Sequence, residues 1–325
     1  MEKQKKSFKS GLPGPERIDI ILKDNAGLTR GQAQKLIDAK NVFIGGTPAK
    51  SYHVKVRPGM LVEYVEDFPQ DRKTSRPDIP LDIIYEDGHM LAVNKQAGLV
   101  SHPAPGHYED TLLNALLGGY IKKEDFPGHE DRLGIVHRLD KDTTGVMIVA
   151  KNSASFTALR RMFKDREIVK YYNCLVHGMV EKEGFLSTMI SRDARNRRRF
   201  SASGDFGKDA QTIFEPVENF WNSALLKVRI LTGRTHQIRV HMKFLKHEII
   251  GDPFYGDKNK DYALLEYLGY DRKSHPDILK RQMLHAASLE FDHPVTGKKM
   301  LIEAGLPDDF SGIAKMLRKR TRGGV

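Results

Sequence analysis

The sequence predicts an α+β protein, with a mixed, largely antiparallel sheet flanked by helices and a small α/β module ahead of it. Three observations lead there. Strand-like segments, such as the period-two run at residues 224–231, dominate the chain beyond residue 81. Few segments there carry helical spacing. The clearest is 153–167, with Phe156, Leu159 and Phe163 on one side and Arg160, Arg161 and Lys164 mostly opposite. Residues 67–80, with Pro at three points and little apolar content, read as a linker between two folded units.

Composition narrows the partners. A chain of 325 residues is long enough for two domains. Its 53 Lys and Arg against 42 Asp and Glu leave a net charge of +11, which favours a polyanion. The single cysteine, Cys174, allows no intrachain disulfide, which suits a reducing cytosol. It lies in an apolar run and reads as a small buried hydrophobe. The 13 His show no zinc-type spacing, so no metal is expected. The Lys-rich start lacks the apolar core of a signal peptide, and no apolar run reaches membrane-spanning length. A cytoplasmic protein without a membrane partner is the expectation.

Residues 1–15 read as a flexible, basic leader. From Arg17, Ile18, Ile20, Ile21 and Leu22 supply a helix face that ends near Gly27. Thr29 opens a second helix, with Gln32 at capping-box spacing and Ala33, Leu36 and Ile37 facing inward. Residues 41–46 read as a strand entering a tight turn, residues 50–59 as strand and turn, and 61–65 as strand. Two short helices and a small basic sheet over residues 16–66 resemble the alpha-L RNA-binding module, named from a small-subunit ribosomal protein. The resemblance implies an RNA surface of Arg17, Arg30, Gln34 and Lys35. Read alone, these are solvated charges on helix faces.

The large domain is expected over residues 81–310. It begins with a hairpin at 83–94, and a helix follows from Thr111. Its centre is the run from His137 to Gly145, HRLDKDTTG, between the apolar pieces 134–136 and 146–150. That reads as a polar turn between two buried strand pieces. Asp, Thr and Gly are ordinary turn formers. Asp140, Asp142, Thr144 and Gly145 begin an EF-hand pattern, but Lys151 stands at the twelfth position, where a carboxylate belongs. A phosphatase nucleophile built on Asp140 and Asp142 stays open as a minor alternative, although His137 and Arg138 interrupt its strand.

The nonapeptide as a whole resembles the signature of RluA/RluD-type pseudouridine synthases. Three further motifs follow that family's order. Residues 94–98 resemble its Asn-Lys-Pro-x-Gly motif, with Gln96 in place of Pro. Residues 170–178 resemble Lys-x-Tyr-x-Ala-x-Val-x-Gly, which assigns the family Tyr to Tyr172 and puts Cys174 in place of Ala. Residues 232–241 resemble Thr-Gly-Arg-x-His-Gln-Ile-Arg-x-His at every fixed place, and 251–256 extend the match. Residues 258–281 read as a polar, partly helical insertion, and 311–325 as a basic tail, helical over 315–322 and fraying at Gly323-Gly324.

The resemblance implies isomerisation of uridine to pseudouridine in structured RNA, above all large-subunit ribosomal RNA or its precursor particle. It implies no cofactor and a monomeric protein. It assigns the catalytic carboxylate to Asp140, its guanidinium partner to Arg239, and the ring that stacks on the base and accepts a proton to Tyr172. Arg138 matches a residue that fills the space left by a flipped base. Five Arg within residues 192–199, namely Arg192, Arg195, Arg197, Arg198 and Arg199, read as an RNA-gripping hairpin, and Arg234 joins the RNA-binding set. A ribosome-assembly factor using the scaffold without catalysis would have lost one of Asp140, Tyr172 or Arg239.

Overall fold

The computed structural model describes residues 5–11, 13–67, 74–104, 107–129, 132–193, 196, 199–271 and 278–322. The chain divides into two units, Met1–Arg72 and Lys73–Val325. Part of the expected linker, 68–73, lies outside the described residues.

In the first unit β1 (Lys5–Lys9) and β2 (Glu16–Arg17) precede α1 (Ile18–Ala26) and α2 (Arg30–Asp38). Then come β3 (Val42–Ile44), β4 (Thr47–Pro48), β5 (Lys55–Val56) and β6 (Leu61–Val65). Ile18, Ile21 and Leu22 of α1 meet Ala33, Leu36 and Ile37 of α2 in one buried cluster. Gly27 ends α1 at a left-handed φ of 68°, and Thr29 and Gln32 form the reciprocal cap that opens α2. The sheet order is β1-β6-β3-β4, with β2 paired to β5.

Two expectations here are corrected. Residues 5–9 are not a flexible leader but a strand antiparallel to β6. Phe8 packs edge-on against Tyr64, and Lys5 and Lys6 pair with Glu63 and Glu66 at 2.8 Å. In 50–59 only Lys55–Val56 is strand, because the chain turns at Ser51, whose carbonyl accepts from the Val54 amide.

In the second unit β7 (Asp82–Glu86) and β8 (Met90–Lys95) form the expected hairpin. After α3 (Leu112–Leu116) come β9 (Thr144–Ala150), α4 (Ser153–Lys164), β10 (Val169–His177) and β11 (Gly184–Arg192). They are followed by β12 (Phe200–Ser203), β13 (Lys208–Phe220), β14 (Ser223–Ile230), α5 (Gln237–Phe244) and α6 (Lys258–Tyr267). The chain closes with β15 (Leu284–Asp292), β16 (Lys299–Glu303) and α7 (Asp308–Arg322). The sheet order is β12-β11-β13-β14-β10-β15-β9-β8-β7, with β16 on β15. β9 and β15 run parallel and the other described pairs are antiparallel, so the sheet is mixed and largely antiparallel.

Residues 134–136 do not form the expected strand. They touch β9 only at the bridge Ile135–Val149, because Leu133 and Gly134 take φ of 42° and 84° and bend the chain away. The basic tail is helical over 315–322, as expected. It belongs to α7, whose Phe310, Ile313, Ala314 and Leu317 are buried in the main core.

The polar turn at 137–143 sits at the head of β9, the buried strand between β8 and β15. Gly145 lets it do so. Its φ is 110°, and a Cβ there would collide with the Ala286 carbonyl on β15. Gly145→Ala is therefore expected to cost on the order of 3 kcal/mol, from backbone strain and overpacking together. Chemical denaturation followed by circular dichroism checks this; a stability within about 0.5 kcal/mol of the parent would contradict it.

Candidate active site

Asp140 lies in the turn ahead of β9, Tyr172 on β10 and Arg239 on α5, and all three line one cleft of about 530 Å³. Arg239 Nη1 donates to Asp140 Oδ2 at 2.9 Å. The same guanidinium is forked on Asp252, with Nε to Oδ2 at 2.6 Å and Nη2 to Oδ1 at 2.9 Å. Asp252 Oδ1 also accepts from the Phe254 and Tyr255 amides, and its side chain is fully buried. Burial opposes the arginine's charge, but the bonds and charges of Asp252 and Asp140 outweigh it and raise its pKa. Tyr172 is 8 % exposed, and burial, then the charge of Asp140, push its hydroxyl pKa well up. The phenol is therefore neutral at any ordinary pH.

His236 stands beside this pair, its Nε2 3.8 Å from Asp140 Oδ2. It caps α5 from a left-handed backbone, φ 58°. Its Nδ1 lies 2.8 Å from the Tyr255 hydroxyl, which accepts from the Phe200 amide at 2.8 Å. Burial lowers the pKa of His236 more than the Asp140 charge raises it. The Phe200 amide at the start of β12 is thus linked to the carboxylate through one hydroxyl and one imidazole.

The two loops that present Asp140 and Arg239 are pinned by buried polar groups. Lys95 Nζ donates to the carbonyls of Gln96, Leu99 and Lys141, each at 2.9 Å. With no carboxylate on it, burial takes its pKa down to about 7. Arg281 donates to both carboxylate oxygens of Asp309 and to the Asp142 carbonyl at 3.2 Å, and Gln282 reaches Thr143 Oγ1 at 3.1 Å. Gln237 Oε1 accepts from Thr232 Oγ1 and the Arg234 amide, while its Nε2 donates to the Gln211 carbonyl and Thr212 Oγ1. His137 Nε2 accepts from the Ile148 amide at 2.9 Å, and burial takes its pKa down to about 3, so it is a neutral structural ring.

The expected RNA-facing residues divide. Arg138 is exposed and lines the cleft. Arg234 lines it as well, with Nε held by the Asp209 carbonyl at 2.7 Å. Arg192 sits over the Phe200 ring, and Arg199 has a buried Nε with no partner among the described residues. Arg195, Arg197 and Arg198 lie outside the described residues.

In the first unit Arg17, Arg30 and Gln34 all donate to Asp19, whose carboxylate is fully buried. The surface cations are therefore organised by an acid that periodicity alone left unremarked. Lys35 is exposed on the same helix as Arg30.

Sequence reasoning also missed Asp252, His236, Tyr255, Lys95 and Arg281 as parts of the site. The run 251–256 was visible as a motif, but nothing in its spelling says that Asp252 grips Arg239. Among the described residues no group of three or more His, Cys, Asp or Glu is arranged to hold a metal ion, and no helix is long and apolar enough to cross a membrane.

Comparison with known proteins adds a family context. Residues 89–244 match the RNA pseudouridylate synthase family and 16–62 the S4 domain. The chain is 38 % identical to ribosomal large subunit pseudouridine synthase D of Zymomonas mobilis, over 89 % of this chain and 90 % of that protein. It is 36 % identical to the RNA pseudouridine synthase YlyB of Bacillus subtilis, over 94 % and 95 %. Among solved structures, human RNA pseudouridylate synthase domain containing 1 aligns with a TM-score of 0.55 at 26 % identity, covering 72 % of this chain and 87 % of that one.

Two outcomes follow from the geometry. Asp252→Asn leaves the buried Arg239 with Asp140 as its only charged partner and is expected to cost about 3 kcal/mol, read by denaturation. Burial works to raise the Asp19 pKa, but bonds from Arg30, Gln34 and Arg17 hold it at about 2, below the ordinary 3.8. Its contribution to stability is thus fully present above pH 3.8 and lost as pH falls through about 2. Acid denaturation of the parent and of Asp19→Asn checks this; equal acid sensitivity between pH 4 and about 2 would overturn it.

Proposed function

Because the chain belongs to the RNA pseudouridine synthase family, we propose that it isomerises uridine in large-subunit ribosomal RNA and that Asp140 is its catalytic carboxylate. The observation that carries the residue assignment is the 2.9 Å bond from Arg239 Nη1 to Asp140 Oδ2, in a cleft that Tyr172 also lines. The substrate assignment rests on the relatives, among them the Zymomonas mobilis protein, whose name specifies the large ribosomal subunit.

In the proposed reaction Asp140 acts on the ribose as nucleophile or as base, and the N1–C1′ bond breaks. The freed uracil turns within the cleft and C5 bonds to C1′. The C5 proton leaves, and N1 takes up a proton. Atoms balance without an external oxidant, reductant or cofactor. Arg239 sets a fixed positive charge 2.9 Å from Asp140 Oδ2. Tyr172 packs against the base. As a neutral phenol with a raised pKa it is a weak base. The proposed role of proton acceptor from C5 therefore needs help from a carboxylate or water next to it.

Arg138 lies exposed at the cleft mouth, suited to fill the gap left by the extruded nucleotide. Arg17, Arg30, Gln34 and Lys35 of the first unit, with Arg192, Arg195, Arg197, Arg198, Arg199 and Arg234 of the second, are proposed to hold the RNA. The proposal includes a monomeric, cytoplasmic enzyme. It also takes 16–66 as RNA-binding domain and 81–310 as catalytic domain.

The test is a map of pseudouridines in total RNA from cells lacking the chain, complemented with the parent or with Asp140→Asn. The parent is expected to restore one or more sites in large-subunit RNA. The variant is expected to restore none while binding RNA within about twofold of the parent. Restoration by Asp140→Asn would overturn the residue assignment. Restored sites confined to another RNA would overturn the substrate.

A further inference from the structure

We propose that Lys170, with Arg166 beside it, forms a subsite for one backbone phosphate flanking the nucleotide that enters the cleft. The proposal rests on the RNA-modifying function above. Lys170 is two residues before Tyr172 on β10, so both side chains point to the same face of the sheet, and both line the cleft. It is 7 % exposed. Among the described residues no carboxylate lies within ion-pair distance of it. Its Nζ has one long bond, 3.3 Å to the Ile168 carbonyl, and stands 5.9 Å from the Phe163 ring.

The charges that act on it are cations, Arg166 and Arg229. Among the described residues the Arg229 Nε, on the opposite face of the sheet beside Tyr171, is buried without a partner, and Arg166, at a left-handed φ of 64°, has one ion-pair contact, 3.6 Å to Asp209. Burial first, then these two arginines, pull the Lys170 pKa down. His137 is adjacent but neutral and offers no negative charge.

Lys95 shows what an internally satisfied buried lysine looks like in this fold, with three carbonyls at 2.9 Å closed around it. Lys170 has no such cage. Lys170 and Arg166 line one cleft, Lys170 with no described carboxylate within ion-pair distance, and an anion between them relieves both desolvation and repulsion. In RNA the anion is the phosphodiester, since uracil and ribose are neutral. A charge-assisted bond from Lys170 to that phosphate would fix the backbone while the base lies against Tyr172. None of these cations belongs to the hairpin or to the first unit, so the subsite is separate from the longer-range RNA grip.

The test uses the full chain and a synthetic RNA fragment that the parent converts. Each phosphate flanking the target uridine is replaced in turn by a neutral methylphosphonate, and binding is measured against salt for the parent and for Lys170→Met. One replacement is expected to weaken the parent roughly 10-fold, and Lys170→Met to do the same. In Lys170→Met that replacement should cost nothing more, and the slope of log K against log salt should flatten by about 0.7 to 0.9. Lys170→Arg should recover most of the slope. Full additivity at every position, an unchanged slope, or a parent indifferent to every replacement overturns the subsite. Should Lys170→Met fold poorly, the replacement scan on the parent and on Lys170→Arg still decides. Conversion of the unmodified fragment by the parent is read separately, so failure of the subsite is distinct from failure of the proposed function.

Discussion

A single buried guanidinium shared between two carboxylates governs the site. Arg239 gives its fork to Asp252, and that pair alone is close to neutral. Its remaining Nη1 reaches Asp140. The group as a whole therefore holds one more negative charge than positive. The excess lies on Asp140, whose side chain is 19 % exposed, whereas that of Asp252 is fully buried. Asp252 Oδ1 accepts from two further amides, so the buried acid is bonded through both oxygens, while the side chain of Asp140 is bonded to Arg239 through Oδ2.

A turn that belongs neither to helix nor to strand must be held by something other than a ladder of backbone bonds. Here two long basic side chains do it. Lys95 takes the carbonyl of Lys141 from the β8 side, and Arg281 takes that of Asp142 from the β15 side. Both bond to carbonyls of the turn rather than to Asp140 itself, so the carboxylate keeps its partner and its opening to the cleft. On the far wall the fully bonded Gln237 fixes the loop that leads into α5 and so aims Arg239. The neutral phenol of Tyr172 and the neutral ring of His236 complete the lining without adding competing charge.

Much of this was legible in the chain. Hydrophobic alternation located the β7–β8 hairpin and strands β10 and β14, and the Thr29–Gln32 spacing located the cap of α2. The motif spelling brought Asp140, Tyr172 and Arg239 together before any coordinates did. What failed to show were the partners. Arg17, Arg30 and Gln34 look like a solvent face because periodicity reports direction, not the buried acid they surround. Lys5–Lys9 looks like a tail because composition hides the single ring, Phe8, that docks it. Residues 134–136 look like a strand because apolar content cannot reveal two successive positive φ angles at Leu133 and Gly134. Arg281 and Asp142 are 139 residues apart, beyond any local pattern.

That last separation bears on when the protein first works. Asp140 meets its guanidinium across 99 residues, and the clamp on its turn waits for Arg281 and then for Asp309, a further 28 residues on. Chains are made from the N-terminus at about 5 to 20 residues per second, so roughly ten to thirty seconds separate the carboxylate's emergence from that of its last support. For the first 99 residues of that interval the nascent polypeptide carries Asp140 without Arg239, and the clamp on the turn is complete only at its end.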